Sequence, residues 1–103
     1  MTYELAFLED ALKEWRKLDS NSREQFKTKL RERLESPRLP SAQLSGAKDR
    51  YKIKLRSVGH RLVYEVRDNE LLVVVVAVGK RERSAVYKVA ADRKSTRLNS
   101  SHG

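Results

Sequence analysis

The chain is 103 residues long, enough for one domain built on one core and too short for a second. Lysine and arginine number 23 against 14 aspartates and glutamates, a formal charge of +9 that favours a polyanionic partner, either nucleic acid or an acidic protein. The absence of cysteine excludes disulfides and thiolate metal sites, and Met1-Thr2-Tyr3-Glu4 lacks the cationic start and apolar stretch of a signal peptide, so a cytoplasmic address is expected.

Residues Tyr3 to Leu8 alternate only in part and predict a short strand at a sheet edge. From Glu9 or Asp10 the spacing changes. Ala11, Leu12, Trp15 and Leu18 recur at three and four, one face of a helix whose acidic start suits the positive end of its dipole. Trp15 on that face is a packing residue. Asp19-Ser20-Asn21 breaks the pattern, and Asn21 with Glu24, or Ser22 with Gln25, forms a capping box for a second helix. In it Phe26, Leu30 and Leu34 run at intervals of four, while Arg23, Lys27, Lys29, Arg31 and Arg33 fill other positions. Pro37 disfavours helical geometry in the residue ahead of it, so the helix stops there. Two helices with a short turn between them make a hairpin that can cover one face of a sheet.

Pro37 to Lys48 holds both prolines and Gly46 and reads as a loop. Beyond it the period becomes two, with Tyr51, Ile53 and Leu55 alternating with Lys52, Lys54 and Arg56. Ser57-Val58-Gly59-His60 is a tight connection to a second strand, in which Leu62, Tyr64 and Val66 share one face. Asp68-Asn69 is a second tight turn. Leu71 to Val78 is a run of eight apolar residues, five of them β-branched, and reads as a central strand buried on both faces. It is too short to span a bilayer, which takes roughly 20 residues as a helix. Three strands joined this tightly form an antiparallel meander. Past Gly79, Ser84 is positioned to cap a last short helix carrying Val86, Tyr87 and Ala90.

The predicted fold is therefore α+β, an antiparallel sheet backed by an N-terminal α-helical hairpin, in the order β-α-α-β-β-β-α. Ile53, Leu55, Leu62, Tyr64 and Val74 are its expected core. Residues 1–91 make up the domain. Residues 92–103, polar and serine-rich with only Leu98 to bury, are expected to be a disordered tail.

Residues two apart on a strand face the same way, roughly 7 Å apart, so Lys52 and Lys54 present two amines together. Like charges held close disfavour protonation, which predicts depressed pKa values for both lysines. Arg61, just past the turn, has the parity of the polar face and stands across from Lys54 or Arg56. A solvated sheet face would also alternate lysines, but such a face usually mixes signs, and no acid alternates with these cations on the first strand. Lys80, Arg81 and Arg83 follow the central strand and read either as a solvated strand end or as part of the same cationic surface. Tyr87 is open between a half-buried packing role and stacking on a base. His60 reads as an exposed turn residue. With His102 as the only other histidine, no metal site is predicted.

No phosphate loop, dinucleotide fingerprint, HExxH or nucleophile elbow is present. Small basic proteins without these motifs either bind nucleic acid passively or cleave it without a bound metal. Cleavage would use the 2′-hydroxyl of RNA as nucleophile, a base to take its proton, cations to stabilise the phosphorane and a donor for the leaving 5′-oxygen.

Four stretches then carry a resemblance: Ala11-Leu12-Lys13-Glu14-Trp15-Arg16-Lys17-Leu18, Tyr51-Lys52-Ile53-Lys54-Leu55-Arg56-Ser57, Arg61-Leu62-Val63-Tyr64 and Val78-Gly79-Lys80-Arg81-Glu82-Arg83-Ser84. Through them the chain resembles the RelE toxins of the RelE/ParE superfamily, from Leu5 to Ala90. The resemblance implies a metal-independent, cofactor-free endoribonuclease that cleaves messenger RNA in the ribosomal A site, with 16S ribosomal RNA among its contacts. It also implies a RelB-like antitoxin that wraps and silences the toxin, joint action of the pair on operator DNA, and no membrane.

Residue by residue, Lys52 and Lys54 resemble the family's basic pair, with Lys54 as general base. Arg61 resembles the stabiliser of the transition state and Arg81 the residue that assists the leaving group. Tyr87 resembles the tyrosine that stacks on a base and aligns the 2′-hydroxyl. Ser45 and His60 depart from the family, standing where relatives carry arginine and tyrosine. The alternatives are a ribonuclease that cuts free RNA and a non-catalytic basic corepressor.

Overall fold

The computed structural model describes residues 2–80, 85–92 and 98–99. Strand β1 (Glu4–Leu8) leads into helices α1 (Glu9–Arg16) and α2 (Ser20–Glu35), then strands β2 (Arg50–Leu55), β3 (His60–Arg67) and β4 (Leu72–Lys80), helix α3 (Ala85–Asp92) and a two-residue strand β5 (Leu98–Asn99). The α+β order read from the sequence is thus present, with one short strand added. The rest of the tail lies outside the described residues.

The sheet order is β2-β3-β4-β1-β5. The meander β2-β3-β4 is antiparallel as expected, but β1 pairs with β4 in parallel, Glu4 opposite Leu72 through Phe7 opposite Val75. The sheet is therefore mixed rather than antiparallel, and β1 lies inside it rather than at its edge, since β5 pairs with Phe7 and Leu8. Parallel neighbours need a long crossover, which the helical hairpin and the meander provide. β4 is the central strand, and Val73 to Val78 are all buried. Its eight-residue apolar run answers to cover on both faces, with α1 and α3 both packed on it. Between Val63 and Tyr64 the β3–β4 register slips, leaving Val76 as a bulge between Val75 and Ala77.

On the hairpin side, Ile53, Leu55, Leu62 and Tyr64 are buried as expected, and Val74 is buried on β4. Trp15 packs between Phe7 and Phe26, with ring centroids 5.3 and 6.1 Å away. Helix α2 starts earlier than expected. Its cap is Asp19, whose carboxylate accepts the Ser22 amide at 3.2 Å and the Ser22 hydroxyl at 2.7 Å, in place of an Asn21 or Ser22 box. An aspartate at N-cap outcompetes the later candidates because its charge also meets the helix dipole. The helix ends at Glu35, ahead of Pro37. The Gly59 turn is as predicted, with φ +67°. The second turn is longer than Asp68-Asn69, a 3-10 turn over Asp68–Glu70 closed by Leu71 at φ 54°.

Candidate functional site

The pleat of β2 sends Tyr51, Ile53 and Leu55 into the core and Lys52 and Lys54 to the opposite face. Register then sets Lys54 directly across from Arg61, and Lys52 across from Val63. Opposed residues have Cβ atoms roughly 4.5–5.5 Å apart, and like charges so placed are destabilising. On its other side Arg61 pairs with Gly79, which brings no side chain to this face. Helix α3 crosses the same face. Tyr87 lies over Arg61 with its ring centroid 5.1 Å from the guanidinium carbon, and the Arg50 guanidinium donates to the Ala90 carbonyl.

Lys54 is exposed, while Lys52, Arg61 and Tyr87 are half-buried. The Nε of Arg61 and the hydroxyl of Tyr87 are both buried and have no hydrogen-bond partner among the described residues. Leaving such a donor unsatisfied costs about 1–3 kcal/mol. Both donors belong to the two residues of the one cation–π contact on this face. The fold thus gathers four of the five residues picked from the sequence onto one face. The fifth, Arg81, lies outside the described residues, as do Arg83 and the helix cap expected at Ser84.

His60 is not a plain turn residue. It opens β3, half-buried, with Nδ1 3.3 Å from the Ser22 hydroxyl oxygen. Since that hydroxyl gives its hydrogen to Asp19, the histidine Nδ1–H is the donor. The fully buried Ser22 so ties the α2 cap to the residue beside Arg61. The same two bonds from Ser22 hold the Asp19 carboxyl below the usual carboxylate range.

Two arginines matter more than the sequence suggested. Arg33 reaches from α2 under the sheet to the Lys52 carbonyl at 3.3 Å and the Tyr64 hydroxyl at 2.9 Å. The signal was its spacing, three and seven residues after Leu30 and Phe26 of the buried stripe. Arg38 binds Asp68 at 2.6 Å, Asp49 at 3.0 Å and the Tyr51 hydroxyl at 3.3 Å. With the Arg50–Glu65 and Arg67–Glu65 pairs it lines a cleft of about 1180 Å³ at the far end of β2 and β3. Every arginine in that cleft is matched by a carboxylate. Among the described residues, no three His, Asp or Glu side chains group to hold a metal ion. None of the described helices is long and apolar enough to cross a membrane.

The family model described as the ParE toxin of the type II toxin–antitoxin system, parDE, matches residues 5–85. The chain belongs to this toxin family. The mRNA interferase toxin RelE of Escherichia coli K12 is 60% identical to it over 93 residues, 90% of this toxin and 98% of that relative. The mRNA interferase RelE of Shigella flexneri matches equally well, at 60% over 93 residues. Among solved structures, an arginine-to-alanine double mutant of E. coli toxin RelE in the free state superposes with a TM-score of 0.82 at 58% identity, covering 88% of this toxin and 96% of that chain. The intact E. coli RelBE toxin–antitoxin complex matches with a TM-score of 0.75 at 60% identity, over 79% of this toxin and 99% of that chain.

Proposed function

We propose that this toxin is an endoribonuclease, an mRNA interferase that cuts messenger RNA in the ribosomal A site and so stops translation. The observation that carries the reading is the face where Lys52 and Lys54 stand beside Arg61, with the buried Arg61 Nε and Tyr87 hydroxyl lacking acceptors among the described residues. The mRNA interferases RelE of E. coli and S. flexneri, 60% identical to this chain, support the same chemistry.

Lys54 takes the proton of the RNA 2′-hydroxyl. The 2′-oxygen attacks the adjacent phosphorus, and Arg61 neutralises the charge that grows on the phosphorane oxygens. Lys52 adds its positive field beside the reacting phosphate. Tyr87 packs the scissile nucleotide against Arg61 and orients its 2′-hydroxyl. The P–O5′ bond breaks, and the leaving 5′-oxygen is clamped by Arg81, whose high pKa suits it to hold charge rather than give up a proton. The leaving oxygen takes a proton from solvent water and Lys54 returns to solvent the one it accepted, so the products are a 2′,3′-cyclic phosphate and a 5′-hydroxyl end. The ribosome's contribution is alignment, which alone can supply several kcal/mol.

Residues 1–91 carry this activity in the cytoplasm. The silencing partner is a RelB-like antitoxin, a reading supported by the RelBE complex among the structural relatives. With that antitoxin the toxin joins operator DNA. The test is end-mapping of one labelled mRNA, with and without programmed ribosomes, using substrate with a 2′-deoxy nucleotide at the cut site. Cleavage confined to ribosomes and abolished by the 2′-deoxy substitution is expected. Equal cutting of free RNA would move the reading to a ribosome-independent ribonuclease, and undiminished cutting of the deoxy substrate would end the Lys54 assignment.

A further inference from the structure

We infer that Arg33 is a positioning residue for the cleavage chemistry, acting from the opposite side of the sheet by holding the strand that carries Lys52 and Lys54. The inference rests on the reading of that face as the cleavage site.

Strand β2 is at the edge of the sheet, with β3 on one side and, among the described residues, an isolated bridge from Gln43 to Tyr51 on the other. Edge strands leave a row of backbone groups with no neighbouring strand to bind. Here two successive outward carbonyls of β2 are taken by groups from outside the sheet. Arg50 O accepts the Leu44 amide at 2.9 Å, and Lys52 O accepts Arg33 Nη1 at 3.3 Å. The first is a backbone tie from the preceding loop. The second is a single side chain from α2, attached between the two core residues Tyr51 and Ile53.

Arg33 is itself anchored. Its Nη1 donates to the Tyr64 hydroxyl at 2.9 Å, and its guanidinium carbon lies 5.7 Å from the Tyr64 ring centroid. Tyr64 is fully buried, stacks on Tyr51 and donates its hydroxyl hydrogen bond to the Pro37 carbonyl at 2.7 Å. One guanidinium thus joins α2, the interior of β3 and the outer edge of β2. It lies behind the sheet with respect to the Lys52 and Lys54 amines, so it acts through them and touches no substrate. A planar fork of donors serves a carbonyl and a phenol at fixed angles, which an ammonium does less well.

Displacing catalytic groups by about 1 Å can cost about 100-fold in rate. Arg33→Met keeps the apolar stem and deletes the donors. It is expected to slow single-turnover cleavage on saturating programmed ribosomes by about 10- to 100-fold, with ribosome affinity nearly unchanged, and Arg33→Lys should recover part of the loss. Arg38→Met, which cuts the tie to the Tyr51 hydroxyl on the same strand, serves as the control and should leave the rate within about twofold. The deciding measurement is a double-mutant cycle with Lys54→Ala. If Arg33 works by placing Lys54, adding Arg33→Met to Lys54→Ala slows the reaction little further, because residues acting as a unit are non-additive.

Additive losses, or wild-type cleavage by Arg33→Met, overturn the inference and leave the site reading intact. A Lys54→Ala toxin that cuts at the wild-type rate overturns both. Should Arg33→Met fail to fold, the cycle is run with Arg33→Lys under the same criterion.

Discussion

At the scale of single residues, Tyr87 offers two separable contributions, a ring over Arg61 and a hydroxyl with no acceptor among the described residues. Tyr87→Phe keeps the ring and removes only the hydroxyl. A hydrogen bond involving a charged group is worth about 1.5–3 kcal/mol, so single-turnover cleavage should fall by about 10- to 100-fold. Tyr87→Ala also removes the stacking surface, worth about 1–3 kcal/mol per base, and should be slower again by at least about fivefold. Equal rates for the two variants would leave the ring without a role. Lys52, Lys54 and Arg61 could be found in the sequence because their parity on two adjacent strands follows from the pleat alone. The meeting of Tyr87 with Arg61 could not, since it depends on where α3 crosses the sheet. Arg33 read from the sequence as one more cation off the apolar stripe of α2, and its acceptors, a β2 carbonyl and a buried phenol, are fixed only by the packing of that helix.

At the scale of elements, the helices and strands follow from periodicity, and the departures occur at their ends, where a local competition decides. Asp19 takes the α2 cap from Asn21 because charge and reach favour it, and in doing so it makes the cap sensitive to acid. Its folded pKa lies below the unfolded value because Ser22 donates to the carboxylate through both hydroxyl and amide. The stabilisation is therefore complete above the unfolded pKa, about 3.9, and is lost as pH falls through the lower folded value. Asp68, lowered by its bonds from Arg38 and Tyr3, titrates with the same sign. Asp19→Asn retains a good capping side chain but cannot titrate. Thermal melts from about pH 7 down to about pH 2.5 should show a shallower acid loss for Asp19→Asn than for wild type, and a shallower one still with Asp68→Asn added. An unchanged acid slope in the double variant would show that the cap and the Arg38 pair carry no linkage.

For the whole molecule, the parallel pairing of β1 with β4 was hidden from the sequence because nothing local distinguishes a strand's partner. Both pairings would bury Phe7 and Leu8, and only the path of the chain through the helical hairpin and meander selects the parallel one. Charge is likewise sorted by the fold in a way that composition conceals. A net charge of +9 suggests a uniformly basic surface, yet Arg38, Arg50 and Arg67 are matched to Asp49, Asp68, Glu65 and Glu70 around the distal cleft. The like-charged opposition of Lys54 and Arg61 marks the other end of the same strands. Binding to a polyanion releases counterions only where cations replace them on phosphates, and each such contact contributes about 0.7 to the slope of log affinity against log salt for single-stranded nucleic acid. The double variant Lys52→Gln with Lys54→Gln should therefore flatten the salt dependence of ribosome binding by about 0.7 to 1.4. Arg38→Gln and Arg67→Gln remove charges already answered by carboxylates and should leave the slope where it was. Affinity measured for the four proteins across a salt series, at equal ribosome concentration, separates the two outcomes. A slope that drops as far for the cleft arginines as for the strand lysines would mean that the cleft pairs open to meet RNA, and that the whole long axis of β2 and β3 is the nucleic-acid track.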